Sequence, residues 1–311
     1  MKSNREIIRA NQRKNLRKYA PLYFFFIPSI LFVLIFKYYP MVGLVLAFKE
    51  NPNMLRTDNP MKTIFEAKWV GLDNFRQMFS KPEIVQAIKN TLEISLLKLV
   101  IVFPIPIALA ILINELRGKR VKETLQFTMY IPHFLSWVTV GGIFGAILSQ
   151  NSGLVNNVLE LLGHERLAFV SNKDTIRGVL VTTHAWKNIG YSSMTYMAAI
   201  LALDTNQFEA AKIDGATKWQ TFTRITLPLC KPMIVYQVVT AFMGPWMDFI
   251  FAKIIVRAES QYYTVSIGLW KMLEMEYIGG WFTRFCAAAV LVSIPISILF
   301  MITQKCYQEA M

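Results

Sequence analysis

The sequence predicts an all-α polytopic membrane protein of six transmembrane helices with both termini in the cytoplasm. Three observations carry this. The 311 residues are 54% apolar and only 17% charged, against about 25% charged in a soluble domain. The few charges leave several stretches of about 20 apolar residues, each long enough to cross a hydrocarbon core. The basic residues also gather in alternate loops, as an oriented multi-span chain requires.

The excess of 33 basic over 20 acidic residues is explained by position. Lys2, Arg5, Arg9, Arg13, Lys14, Arg17 and Lys18 crowd into a basic cytoplasmic segment, 1–21, directly before an apolar run. Charge placed this way orients a span in the bilayer and argues against nucleic acid as the partner. The run from Leu22 is longer than a secretory signal core and no small-residue cleavage site follows it, so an uncleaved first span is expected. Cys230, Cys286 and Cys306 are widely spaced and match neither a metal-ligand pattern nor a disulfide framework. No metal or cofactor site is expected.

The transmembrane domain, 22–311, is expected to hold spans at about 22–40, 90–114, 125–149, 178–202, 231–251 and 285–304. A rise of about 1.5 Å per residue carries each across a core of about 30 Å. In the first, Lys37 sits beside Tyr38, Tyr39 and Pro40, the composition of an interfacial belt. In the second, Lys89 and Glu93 lie one turn apart and can pair, and the long stem of Lys98 is expected to reach the interface. Pro104 and Pro106 are expected to interrupt this span, Pro132 to open the third, and Gly244-Pro245 to break the fifth. Backbone freed in a bilayer survives only inside protein or along a wet cavity, so kinks in several spans favour a transporter or channel over an anchor. The loop 115–124 carries Arg117, Lys119, Arg120 and Lys122, and the loop 204–230 carries Lys212, Lys218 and Arg224. The loop 150–176 has only Arg166 and Lys173. This bias places the termini and the loop 204–230 in the cytoplasm.

Within that loop, Glu209 to Pro228 is too polar for a bilayer yet patterned. Asn206 with Glu209 three residues on has capping-box character, opening a short helix through Ala210, Ala211 and Ile213. Asp214-Gly215 reads as a turn, with Gly215 free to take positive φ. A second helix is expected through Trp219, Phe222 and Ile225, stopped by Pro228 and Pro232. Ala210 and Ala211 allow another surface to approach closely. From composition alone, an ordinary interfacial amphipathic helix and a segment presented to a soluble partner both remain open.

The pattern Glu209-Ala210-Ala211, then Gly215, then nine residues to Ile225 and the Leu227-Pro228 pair resembles the EAA loop of bacterial ABC importer permeases. WVGLDNF (Trp69 to Phe75) is similar to carbohydrate-uptake permeases of the maltose type, and YIPHFLSWV from Tyr130 resembles the LplB subgroup. The resemblance implies a type I importer permease fold and makes 204–230 the coupling segment. Glu209, Ala210, Ala211, Asp214, Gly215, Leu227 and Pro228 would then meet an ABC ATPase dimer. The ending QKCYQEAM departs from the Gly-rich tail of the other permease subtype, implying a distinct second permease subunit in a heterodimer. An extracellular solute-binding lipoprotein, a carbohydrate substrate and the lipid bilayer of a bacterial plasma membrane complete the implied partners. No G-x-x-x-x-G-K-[ST] is present, so energy must come from another subunit and the chain is not expected to be an enzyme.

The resemblance also supplies a register for substrate contacts. Lys187, Asn188 and Tyr191, beside Trp186, fall on one set of maltose-type sugar positions. Ala241, Gly244, Pro245 and Asp248 fall on a second, with Trp246 among them. Amides, carboxylates and aromatic faces suit sugars, and an intramembrane carboxylate near a Gly-Pro pair is a functional candidate in itself. Equally, Asp248 can pair with Lys187 or another basic group to hold the bundle together. His133 and His184 read as bundle residues. Lys187, Pro245 and Asp248 differ chemically from the maltose-type residues, which points away from maltose and leaves room for an acidic or amino sugar. The alternative is an ion-coupled secondary transporter of a small polar solute, which requires internal repeats and intramembrane carboxylates. No convincing repeat is present, and Asp248 is its one good carboxylate. A membrane-embedded enzyme would need clustered His, Asp or Glu, which three scattered histidines do not supply.

Overall fold

The computed structural model describes residues 19, 22, 24–52, 59–256 and 259–308. The seven basic residues of the segment 1–21 and the end of the QKCYQEAM tail lie outside the described residues. Apart from an isolated antiparallel bridge between Lys49 and Trp69, the described secondary structure is helical. The chain divides into two compact units: residues up to 76 with 275–290, and residues 77–274 with 291–311.

In the first unit, α1 (Phe24–Phe48) runs 25 residues, beyond the expected end at 40. Its side chains from Phe24 to Met41 are exposed, an all-round apolar surface suited to lipid. Two short helices follow, α2 (Pro60–Glu66) and α3 (Asp73–Phe79). Here the WVGLDNF segment acts as a clasp. Gly71 takes φ +60 at the turn, which only glycine adopts without strain. The Asn74 amide donates to the carbonyls of Ala47 at 3.0 Å and Lys49 at 2.8 Å, and accepts from the Thr283 hydroxyl at 3.2 Å. Phe48 stacks on Trp69 at 5.6 Å and meets Phe75 at 5.3 Å.

The second unit begins with α4 (Pro82–Glu115), 34 continuous residues. Pro104 and Pro106 do not interrupt it, contrary to the expectation. A π turn over Lys98–Val102, closed by the Phe103 N–H on the Lys98 carbonyl at 3.0 Å, re-spaces the ladder where Pro104 cannot donate. One side of α4 is buried and polar. The Asn90 amide donates to the carbonyls of Gln261 at 2.9 Å and Tyr263 at 3.1 Å. The Thr91 hydroxyl accepts from the Val265 N–H at 2.8 Å, and Ser95 donates to the Phe242 carbonyl at 3.0 Å. Between apolar helices such hydrogen bonds supply association that hydrophobicity cannot. Glu93 meets Lys89 at 3.9 Å as expected, but its shorter partner is Arg177 at 2.7 Å.

The expected third span is two helices, α5 (Lys119–Phe134) and α6 (Trp137–Ile147), bent by 100°. Pro132 lies inside the last turn of α5 and does not open it. The short α7 (Leu154–Leu161) leads to α8 (Ile176–Leu201), 26 residues carrying the polar cluster of the fourth span. Then follow α9 (Thr205–Ile213), α10 (Lys218–Leu229) and α11 (Lys231–Met247), with a 70° bend between the last two. Gly244-Pro245 does not break α11. Pro245 withdraws one donor and the helix continues to Met247, so the break falls at Asp248-Phe249. Next come α12 (Ile250–Val256) and α13 (Val265–Met272). The final helix, α14 (Met275–Gln308), contains the apolar stretch Phe282–Lys305 and contributes to both units. Among the described residues three helices are long and apolar enough to cross a membrane, or five if each bent pair is one span. The core of the second unit joins Ile94 of α4, Val179 and Leu180 of α8 and Phe251 and Ile255 of α12.

Close packing of α8 on α5 rests on one glycine. A Cβ at Gly190 would clash with the backbone carbonyl oxygen of Met129, which no side-chain rotation relieves. Gly190→Ala is therefore expected to destabilise the purified chain by at least about 1–3 kcal/mol. Thermal unfolding in detergent reads this directly, and an unchanged Tm would contradict the contact.

Candidate functional site

The polar segment is built by explicit capping. The Asp204 carboxylate accepts from the Asn206 N–H at 3.0 Å and opens α9. The cap therefore lies two residues before the expected Asn206, which sits inside the first turn. At the other end, the Gly215 N–H bonds the Lys212 carbonyl at 3.2 Å and the Ala216 N–H bonds that of Ala211 at 2.9 Å. With Gly215 at φ +73, these are the paired bonds of a Schellman turn. Thr217 and Gln220 then cap each other reciprocally and open α10. This Thr-x-x-Gln box is a sequence-level signal that went unread. Pro228 does not stop α10. It lies at the start of a helical turn that runs to Leu229, and the chain changes direction at Cys230.

The surface this produces is specific. Glu209, Ala210, Asp214, Gly215, Leu227 and Pro228 are exposed, whereas Ala211 is buried. The two alanines thus face differently, and only Ala210 is open to a partner. Ile213 is 86% exposed and Trp219 70% exposed, large apolar groups at a polar turn. Lys218 reaches the Glu115 carboxylate at 2.8 Å, tying this segment to the end of α4.

The second set of candidates gathers around the two helix breaks. Lys187 of α8 is 5% exposed. Its ammonium donates to the carbonyls of His133 and Leu135, both at 2.6 Å, and reaches that of Pro132 at 3.4 Å. It therefore caps the carbonyl end of α5 at the 100° bend, serving the His133 and Leu135 oxygens, while that of Pro132 also accepts from the Leu135 N–H at 3.2 Å. It also lies 5.2 Å from the centroid of the Trp137 ring. Asn188 donates to His184 and accepts from His133 Nδ1 at 3.2 Å, and Tyr191 stacks on His133 at 4.1 Å. Both histidines thus contact Asn188, and His133 also contacts Tyr191.

Asp248 occupies the other break. Its backbone N–H closes α11 on Gly244, its carboxylate accepts from the Phe251 N–H at 3.2 Å, and its carbonyl accepts from the Ser266 hydroxyl at 2.6 Å. No bond joins it to Lys187 among the described residues. Its electrostatic partner is Lys98, which is 3% exposed and does not snorkel to the interface as the sequence suggested. Trp137 links the two sets, stacking on His184 at 5.9 Å and meeting Phe251 at 4.4 Å. Trp246 is buried against Phe242, while a Cβ at Gly244 would meet no atom within 4 Å. Lys98 and Trp137 were missed as site residues because nothing local in the sequence marks them.

A helical, apolar chain with satisfied breaks inside its spans and a capped polar turn at its surface belongs to the class of membrane-embedded transport subunits. More particularly, it is a member of the family described as binding-protein-dependent transport system inner membrane component, whose model matches residues 100–311. It is similar to the polygalacturonan/rhamnogalacturonan transport system permease protein YteP of Bacillus subtilis (strain 168), 37% identical over 235 residues, 74% of this chain and 70% of that one. It is also similar to Protein LplB of the same organism, at 33% identity over 77% of this chain and 73% of that one. Among solved structures it matches a bacterial ABC transporter involved in the import of the acidic polysaccharide alginate, with a TM-score of 0.79, 30% identity and coverage of 96% and 99%. The bacterial alginate ABC transporter in complex with alginate pentasaccharide-bound periplasmic protein matches with a TM-score of 0.76. The chain is thus a multi-pass component of a bacterial plasma membrane and not itself an enzyme. Family membership sets aside the ion-coupled alternative.

Lys187→Met leaves the α5 carbonyls uncapped in apolar surroundings and is expected to cost about 3 kcal/mol, with Lys187→Arg costing less. Chemical or thermal unfolding without any substrate checks this. A side chain serving only as a substrate contact would leave stability unchanged.

Proposed function

We propose that this chain is one of two permease subunits of an ATP-driven oligosaccharide importer, paired with a different second permease. An extracellular binding lipoprotein delivers the sugar, and an ABC ATPase dimer binds the segment 204–230 from the cytoplasm. In this reading α1, α4, α5 with α6, α8, α11 with α12, and α14 make six spans, with both termini cytoplasmic. Closure of the ATPase dimer pushes on α9 and α10, and the push passes into α11 and, through Lys218 and Glu115, into α4. Substrate passes Lys187, Asn188 and Tyr191 on one side and Gly244, Trp246 and Asp248 on the other. The open space beside Gly244 and the exposed ring of Tyr191 favour this route.

The observation that carries the proposal is the turn at Gly215. A family-matched membrane chain presents Ile213 and Trp219 to solvent on either side of a rigid Schellman turn, with Glu209 and Asp214 exposed nearby. Exposed apolar groups held on a fixed scaffold mark a protein contact.

Gly215→Pro cannot adopt φ +73 and loses the bond to Lys212, so the turn must rearrange. Glu209→Lys reverses an exposed charge without touching the fold. Both variants are expected to lower ATPase co-purification and ATP-driven uptake at least about tenfold, a loss of roughly 1.4 kcal/mol in the contact, while the spans keep their thermal stability. Normal uptake and normal co-purification by both would remove the coupling assignment.

A further inference from the structure

Charge inside the second unit is unbalanced. Charged groups in spans are costly and mark transport paths. Lys98 and Lys187 are both buried, and His184 lies within the field of both. Asp248 opposes Lys98, but the carbonyls that hold Lys187 contribute dipoles and no net charge. Two further ammonium groups sit beyond the same break. Lys253 of α12 and Lys271 of α13 both approach the ring of Tyr263, at 5.4 Å and 4.7 Å. Neither makes a salt bridge among the described residues. α13 is fastened to the break by the Ser266 bond to Asp248 and by Trp270, whose ring meets Phe249 at 5.1 Å. Glu93 of α4 is already matched by Arg177.

Accessible aromatic rings lie on the same elements: Trp270, which precedes Lys271 in α13, is 54% exposed, and Tyr191, one turn beyond Lys187, is 41% exposed. An aromatic face binds the apolar side of a sugar ring, and an ammonium in a low dielectric binds a carboxylate. A neutral glycan would leave these cations without counter-charge, and a small inorganic anion would make no use of the rings. We infer that the transported substrate is an acidic oligosaccharide built of uronate units. Lys253 and Lys271 meet its carboxylates at the α12–α13 end of the route. This rests on the importer reading and adds the charge of its substrate. The names of two similar proteins agree with it: polygalacturonan is a uronate polymer, and alginate is described as acidic.

The test uses the whole importer, with its second permease, ATPase and binding protein, reconstituted in proteoliposomes. Oligogalacturonate and its fully methyl-esterified counterpart are compared, since they share a backbone and differ in charge. ATP-dependent uptake of the free acid is expected to exceed that of the ester by about tenfold or more. The half-buried pair Lys253→Gln with Lys271→Gln should pull that ratio toward one, while Lys253→Arg with Lys271→Arg should restore it. Equal uptake of acid and ester, uptake of neutral galacto-oligosaccharide alone, or an unchanged ratio in the glutamine variants would overturn the inference and leave the importer reading standing. No ATP-dependent uptake of any glycan would overturn both.

Discussion

The rest of this structure depends on one constraint: a helix interrupted inside an apolar environment must have its freed backbone groups bonded by something else. Lys187 meets that need at the α5–α6 bend, where its ammonium holds the carbonyls of His133 and Leu135. Asp248 meets it at the end of α11, closing one helix, opening the next and receiving Ser266. Asn90, Thr91 and Ser95 of α4 do the same for the segments that pack on it. Each of these side chains would be expensive in a plain span. Together they make breaks at the centre of a bundle possible, and breaks are what give a route polar walls.

The same logic, with water in place of lipid, governs the polar segment that holds α9 and α10. α9 and α10 are too short to be stable on propensity alone. Asp204, the Gly215 turn and the Thr217–Gln220 box bond orphan groups at the facing ends of the two helices, so the turn keeps its shape while Ile213 and Trp219 stay exposed. A rigid presenter passes a push along its length, where a frayed one would absorb it. The Lys218–Glu115 pair is exposed and contributes little energy, and its importance is that it links this segment to α4.

Much of this was legible in advance, for identifiable reasons. The span regions follow from runs of apolar residues, and Gly215 follows from the need for positive φ after a short helix. What failed were the readings of proline and lysine. Pro104 does not break α4 because a π turn absorbs it, and Pro245 sits three residues before the actual break. Local rules price the lost hydrogen bond and cannot see whether a neighbour or a shifted ladder replaces it. Lys98 has a stem long enough to snorkel, yet it is buried, within the field of Asp248, 150 residues further along the chain.

By itself, the sequence determined the class of the protein: apolar runs, charge bias and the Glu209–Pro228 pattern are local properties, readable in chain order. Only the tertiary structure decided which polar groups inside the bundle are partners. It gave Lys187 to the α5 carbonyls and Lys98 to Asp248, and it placed Lys253 and Lys271 against one ring. These pairings join distant elements, and a buried charge is settled by whatever folding brings within a few ångströms of it.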